Sequence, residues 1–232
     1  MMNQKKKVLE IKALNAFYKN GNKEKVQVLK NVSFQIGEGE IVGLVGESGS
    51  GKSTLCKAML GFVREYDGKI THFTSYPQMI FQDPYKSLNP KKRIGWLIEE
   101  PLRIQKKYKK SKRKEMAEEI LEKVKLSKEL YRRYPSELSG GQRQRVSIAM
   151  ALIAGTKFVI ADEALSALDV TVQAEIIKLL LELRKEYQLA LLFVSHDLDV
   201  VDMLCDRVLF LEHGEIKESV ETKEKVAGYE KL

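Results

Sequence analysis

One stretch limits the possible folds more than any other: the apolar run Ile41-Val42-Gly43-Leu44-Val45 passes directly into Gly46-Glu47-Ser48-Gly49-Ser50-Gly51-Lys52-Ser53. A run with no polar alternation fits a strand buried on both faces, and such strands belong to parallel sheets covered by helices. The segment after it satisfies G-x-x-x-x-G-K-[ST], with a strand before and a helix behind. Glycines let backbone N–H groups converge on phosphate oxygens, Lys52 brings a positive charge to the β and γ phosphates, and Ser53 offers a hydroxyl to Mg²⁺. A helix is predicted from Lys52 to about Leu60, burying Leu55, Ala58 and Met59 and aiming its N-terminal dipole at the anion. Without these flanks the loop would read as a flexible glycine turn. With them, Gly46 to Thr54 reads as a phosphate cradle.

The rest of the chain supplies elements for such a core. Val8 to Leu14 and Val32 to Ile36 alternate like half-buried strands. Phe158-Val159-Ile160-Ala161 and Leu189 to Val194 are continuous apolar runs that end in polar residues, as parallel strands do when their C-terminal edge holds a site. Val208 to Leu211 and Ile216 flank a turn at His213-Gly214. Between about Asp83 and Ala154 the pattern becomes helical and charged, which predicts a helical insertion in an α/β core. At 232 residues, 44% hydrophobic and 31% charged, the chain suits one ordinary globular domain. Leu189 to Val194 is far shorter than the roughly 20 residues a membrane span needs. The start, Met1 to Lys7, leads into no apolar signal segment. Cys56 and Cys205 sit among apolar neighbours on predicted helices, as buried thiols of a reducing compartment would.

Two further features carry chemistry. The strand Phe158 to Ala161 delivers Asp162 and Glu163 at its end: Asp162 to hold a metal, directly or through water, and Glu163 to act as general base. Alone, an Asp-Glu pair after a strand is more often a turn or a helix cap; beside the phosphate loop the catalytic reading prevails. In Leu138-Ser139-Gly140-Gly141-Gln142, Ser139 can be a helix N-cap and Gln142 can close a capping box. Val146, Ala149, Met150 and Ile153 then repeat at helical spacing, so a helix is predicted from about Gly141 to Ala154. Its positive end presents two glycines with no side chains to block an anion.

Phosphate loop, pentapeptide and acidic pair together resemble the ATP-binding cassette of ABC proteins over nearly the whole chain, with Leu138 to Gln142 as the signature. The resemblance implies a P-loop NTPase (RecA-like) α/β core with an antiparallel β subdomain, at about 1–82 and 155–232, and an inserted α-helical subdomain at about 83–154. It implies ATP and Mg²⁺ as ligands and ATP hydrolysis as the activity. Tyr18 would stack on adenine, although adjacent Phe17 could stack or either could simply pack. Gln82 would reach Mg²⁺ and the attacking water, His196 the γ-phosphate, and Ser166 to Asp169 would communicate across a dimer. His196 alone would pass for a satisfied core histidine, as His72 and His213 do. In this family Ser139, Gly140, Gly141 and Gln142 cap the γ-phosphate held by the opposite subunit, so one chain contains two half-sites.

Phe81 to Pro90 and Tyr134 to Arg145 resemble, more narrowly, the oligopeptide, dipeptide and nickel importers. The implied partners are a second ABC ATPase subunit, homologous or identical, two transmembrane permease subunits, and indirectly an extracellular substrate-binding protein, with no nucleic acid. The implied location is the cytoplasmic face of the cell membrane. Departures from the family pattern are Ala164-Leu165 after Glu163, a short Gly68 to Gln82 segment, and an end soon after Ile216. The net charge of +8 and the run Lys106 to Lys114 admit an alternative, a soluble ABC ATPase acting on ribosomes or DNA. The run leads into Glu115, Glu118, Glu119 and Glu122, which favours a solvated helical face, and attraction to an anionic membrane surface is a third option.

Overall fold

The computed structural model describes residues 6–19, 24–75 and 77–221. Two sheets organise them. A three-stranded antiparallel sheet has the order β2 (Lys25–Gly37), β1 (Lys7–Lys19), β4 (Tyr66–His72). A six-stranded sheet runs β5 (Gln78–Ile80), β6 (Phe158–Asp162), β7 (Ala190–Val194), β3 (Ile41–Val45), β8 (Arg207–Glu212), β9 (Glu215–Glu221). Every pairing in it is parallel except that of β8 with β9.

Burial follows the pleat. Ile41, Val159, Ala161, Leu191 and Phe193 face one hydrophobic cluster, while Val42, Leu44, Phe158, Ile160 and Leu192 face the other. The first cluster is roofed by α3 (Ile94–Gln105), α4 (Lys110–Lys123), α5 (Gly140–Ile153), α6 (Val170–Tyr187) and α7 (Leu198–Leu204). The second is closed by α1 (Lys52–Met59) and the three-stranded sheet. Fully burying one such phenylalanine or leucine contributes about 1.5–3 kcal/mol, so the continuous apolar runs are what hold this layer order. Between β5 and β6 the chain is helical, with α2 (Pro84–Ser87), α3, α4, 3-10 turns at Lys128–Arg132 and Pro135–Glu137, and α5.

At the N-terminal edge of the parallel sheet, Arg184 of α6 donates to Gly39 O at 2.6 Å and to both carboxylate oxygens of Asp206 at 2.9 and 2.7 Å. Asp206 also accepts from the Ile41 N–H at 3.0 Å. This clamp, with one guanidinium nitrogen shared by both Asp206 oxygens and Nε on Gly39 O, fixes the start of β3 against α6 and β8, leaving the opposite edge free for a site.

Several sequence expectations are adjusted. β1 and β2 run well past the predicted Val8–Leu14 and Val32–Ile36. The alternation is interrupted by bulges around Ala13 and Asn31, both at positive φ (49° and 50°), where register shifts occur. β4 and β5 were not predicted. The helix expected over Gly141–Ala154 spans Gly140–Ile153, and Cys205 caps α7 instead of lying within it. Both cysteines are buried, and burial pushes both thiols up. Ala164 and Leu165 are buried as well. The basic run contributes exposed pairs, Lys112–Glu115 at 3.0 Å and Lys114–Glu118 at 3.5 Å. No helix among the described residues is long and apolar enough to cross a membrane.

Candidate functional site

Four neighbouring parallel strands, β5, β6, β7 and β3, point their C-terminal ends the same way. The residues at or just beyond those ends are Gln82, Asp162-Glu163, His196 and the Gly46–Lys52 loop. Strand order therefore brings together groups that are widely separated in sequence.

The loop after β3 is shaped by packing. A Cβ at Gly46 would lie 2.2 Å from the Leu211 carbonyl oxygen, so only glycine lets β3 turn there. Gly49 has open space around it but sits at φ +84°, a backbone region that disfavours other residues. The Lys52 ammonium folds back into the loop, donating to Gly46 O at 2.6 Å and Glu47 O at 2.8 Å. Ser50 Oγ is buried with no hydrogen-bond partner. A positive charge within a ring of glycine backbone and an unsatisfied hydroxyl are what an anionic phosphate would complete. Ser53 is exposed and Thr54 half-buried at the first turn of α1.

Glu163 occupies an unusual conformation, φ +46°. Such a residue costs about 1–3 kcal/mol and persists only where its surroundings hold it. Here its N–H donates to Val194 O at 2.9 Å, while its carbonyl accepts from the Ser166 N–H at 3.1 Å and hydroxyl at 2.9 Å. The side chain is thereby turned towards two partners: Gln82 Nε2 donates to Oε2 at 2.6 Å, and His196 Nδ1 lies 3.4 Å from Oε1. With its NH₂ on Glu163, Gln82 keeps its carbonyl oxygen for another partner. His196 is largely exposed, with 68% of its side chain open to solvent.

Asp162, at the end of β6, is half-buried. Burial first, and the Glu163 charge second, raise its carboxyl above the ordinary aspartate range, with Lys52 and Lys57 pulling the other way. A carboxylate, a hydroxyl from Ser53 and an amide oxygen from Gln82, each at or within two residues of an element end on this edge of the sheet, are oxygen donors of the type a hard divalent cation takes.

The pentapeptide forms the predicted cap. Ser139 Oγ accepts from the Gln142 N–H at 3.3 Å, and Gln142 Oε1 accepts from the Ser139 N–H at 3.0 Å. A Cβ at Gly141 would come within 2.7 Å of Val172, whereas at Gly140 it would meet only Leu168 at 3.6 Å. Arg143 braces the turn through the carbonyl oxygens of Leu138 and Pro135. Among the described residues no hydrogen bond joins the pentapeptide to Lys52, Glu163 or His196. Asp169 caps α6 by accepting from the Val172 N–H at 3.0 Å. Tyr18 is partly exposed on β1, paired with Val26, and neighbouring Phe17 carries the Lys25 ammonium 4.0 Å from its ring centre.

One surface leaves little trace in the sequence. A groove of about 520 Å³ lies between β5, α3 and α5, with Phe81 and Ile104 exposed on its walls. Only an apolar residue at the otherwise polar end of α3, Ile104, hinted at it.

The chain resembles known proteins in sequence and in fold. Residues 29–166 match the family model described as "ABC transporter". The chain is 41% identical to an oligopeptide transport ATP-binding protein of Streptococcus mutans, over 94% of this chain and 76% of that one. Its fold is similar to an ATP-binding cassette solved as a dimer in a post-hydrolysis state bound to ADP and Pi (TM-score 0.78, 28% identity, covering 92% of this chain and 98% of that one). It is also similar to cbiO1 from Clostridium perfringens, part of the ABC transporter complex cbiONQ (TM-score 0.83, 26% identity, 97% and 93% coverage).

Proposed function

Because the chain belongs to the ABC transporter family of ATP-binding cassettes, we propose that it is the ATP-hydrolysing subunit of an importer that takes up peptides. The observation that carries the reading is the meeting of Gln82, Glu163 and His196 beside the Lys52 loop, with the capped pentapeptide standing apart on α5. The first group has the chemistry to cut a terminal phosphate, and among the described residues no hydrogen bond ties the second to it.

In this mechanism Gly46 to Thr54 wrap the phosphates of ATP and Lys52 leaves its loop carbonyls for the β and γ oxygens. Ser53, Gln82 and Asp162 would hold Mg²⁺, which when bound neutralises phosphate charge. Glu163 takes a proton from the attacking water as its oxygen bonds to the γ-phosphorus and the bond to ADP breaks. Gln82 orients that water, and His196 steadies the γ-phosphate. Tyr18 supports the adenine. Ser139, Gly140, Gly141 and Gln142 complete the site of a second ATPase subunit, related or identical, and the loop ending at Asp169 lies at that junction. Hydrolysis removes the bridging charge and releases the pair, a population shift between closed and open dimers.

The apolar groove beside Phe81 and Ile104 suits a helix of a transmembrane permease subunit, which would place the chain at the cytoplasmic face of the cell membrane. A substrate-binding protein outside the cell would engage only through those subunits. Within this scheme residues 83–154 form the helical subdomain and the remainder the core and β subdomain. The oligopeptide transport relative supports peptides as cargo, a support that nickel lacks in that comparison. The test is uptake of a labelled oligopeptide into proteoliposomes carrying the whole importer. ATP-dependent accumulation is expected, and its absence in an assembly competent for ATP hydrolysis would refute the cargo assignment.

A further inference from the structure

A second cleft, of about 340 Å³, lies entirely on the helical segment, between α3, α4 and the Lys128–Arg132 turn. Its lining carries Arg93, Arg103, Lys110, Arg113 and Arg132, five cations against one carboxylate, that of Glu99. Glu99 is only 6% exposed and already committed: it accepts from Tyr131 Oη at 2.5 Å and from Arg113 Nε at 3.2 Å. Burial and that bond raise the Tyr131 phenol to about 12, so it stays protonated and keeps donating. Arg103 is held with one N–H on Trp96 O at 2.6 Å and its guanidinium 4.0 Å from the indole centre. Arg113 is fixed by a further bond to Tyr108 O at 2.9 Å. Arg132 and Lys110, by contrast, are exposed, and their side chains make no ion pair or hydrogen bond among the described residues.

A concave wall of guanidinium groups, with one buried carboxylate holding Arg103 and Arg113, Arg93 on Tyr134 Oη at 3.5 Å, and Arg132 and Lys110 left over, carries more positive charge than its own carboxylate offsets. Guanidinium forks match phosphate oxygens two at a time. We propose that this cleft binds a multiply charged phosphate group, with Arg132 and Lys110 closing on it from the rim. None of its lining residues belongs to the Gly46–Thr54 loop or to the Glu163 cluster. An occupied cleft would cross-link α3, α4 and the turn that leads through Tyr134 to the pentapeptide, and so set the stiffness of the segment carrying Ser139 and Gly140.

Trp96 is the only tryptophan in the chain and lines the cleft, which makes its fluorescence a local reporter. The full-length protein is titrated with pyrophosphate at constant ionic strength. A saturable change in Trp96 emission is expected that survives Lys52→Ala. Its half-saturating concentration should rise about tenfold or more in Arg132→Gln, as loss of one charge-assisted hydrogen bond implies. Vesicles containing phosphatidic acid form a second arm: an Arg132-dependent response to them alone would assign the phosphate to a lipid headgroup, and to pyrophosphate alone to a soluble molecule. No saturable response in either arm, a response equalled by chloride, or one abolished by Lys52→Ala and untouched by Arg132→Gln would overturn the proposal.

Discussion

Gly140 offers a sharp separation between folding and function. It is the first residue of α5, and a Cβ added there would touch only Leu168, at an ordinary contact distance of 3.6 Å. Gly140 is half-buried, so Gly140→Leu should cost the monomer about 1 kcal/mol, which moves Tm by about 2–4 °C for a chain of this size. Binding of ATP to the isolated chain should be unchanged, because nothing in the Gly46–Thr54 loop is touched. Hydrolysis by the assembled complex should fall about a hundredfold or more, the scale of loss when reacting groups are held an ångström out of place. The assay pairs thermal unfolding and nucleotide binding of the monomer with steady-state phosphate release by the complex. Wild-type turnover would refute the idea that the glycine end of α5 closes on a partner's phosphate. Loss of monomer binding along with turnover would show instead that Gly140 supports its own chain's site.

Two other expectations follow from the packing. Gly46→Ala drives a Cβ against the Leu211 backbone and should cost about 1–3 kcal/mol in thermal unfolding and abolish ATP binding, while Gly49→Ala, with free space but φ +84°, should cost about 1–2 kcal/mol and only weaken it. Equal effects of the two would mean that sterics do not shape the loop. The buried Cys56 and Cys205 thiols stay protonated in the fold, whereas the unfolded chain ionises them near the ordinary thiol value of 9.0. The unfolded state then binds fewer protons, so stability is retained below that value and declines above it, by up to about 1.4 kcal/mol per pH unit per thiol. Denaturant titrations at pH 8 to 10 read the slope, and rapid alkylation of the native protein at pH 8 would contradict the burial.

The legible part of the molecule was the part whose chemistry repeats a local rule. β3, β6 and β7 are apolar on both faces because both faces are covered, so each announced itself as an unbroken run. The Ser139–Gln142 box was legible because both partners lie within one helical turn. β4, Tyr-Asp-Gly-Lys-Ile-Thr-His, was not, because pairing with β1 holds it and its side chains are exposed or half-buried. β5 has three residues, too few for any period to show. The bulges at Ala13 and Asn31 truncated the predicted β1 and β2 because each shifts the alternation out of phase. At the site, the roles proposed for Gln82 and His196 came from family resemblance, whereas the left-handed turn of Glu163 that brings their side chains together depends on a carbonyl of β7, which no local pattern encodes.

Glu163→Gln, studied in the assembled complex, bears most directly on the central claim. The substitution keeps the size of the side chain and removes the proton acceptor. Hydrolysis should fall about a hundred- to ten-thousandfold, the usual contribution of a general base, while size-exclusion chromatography with ATP should show the dimer accumulating. Turnover at the wild-type rate, or failure of the variant to pair with its partner ATPase subunit when ATP is bound, would contradict the account.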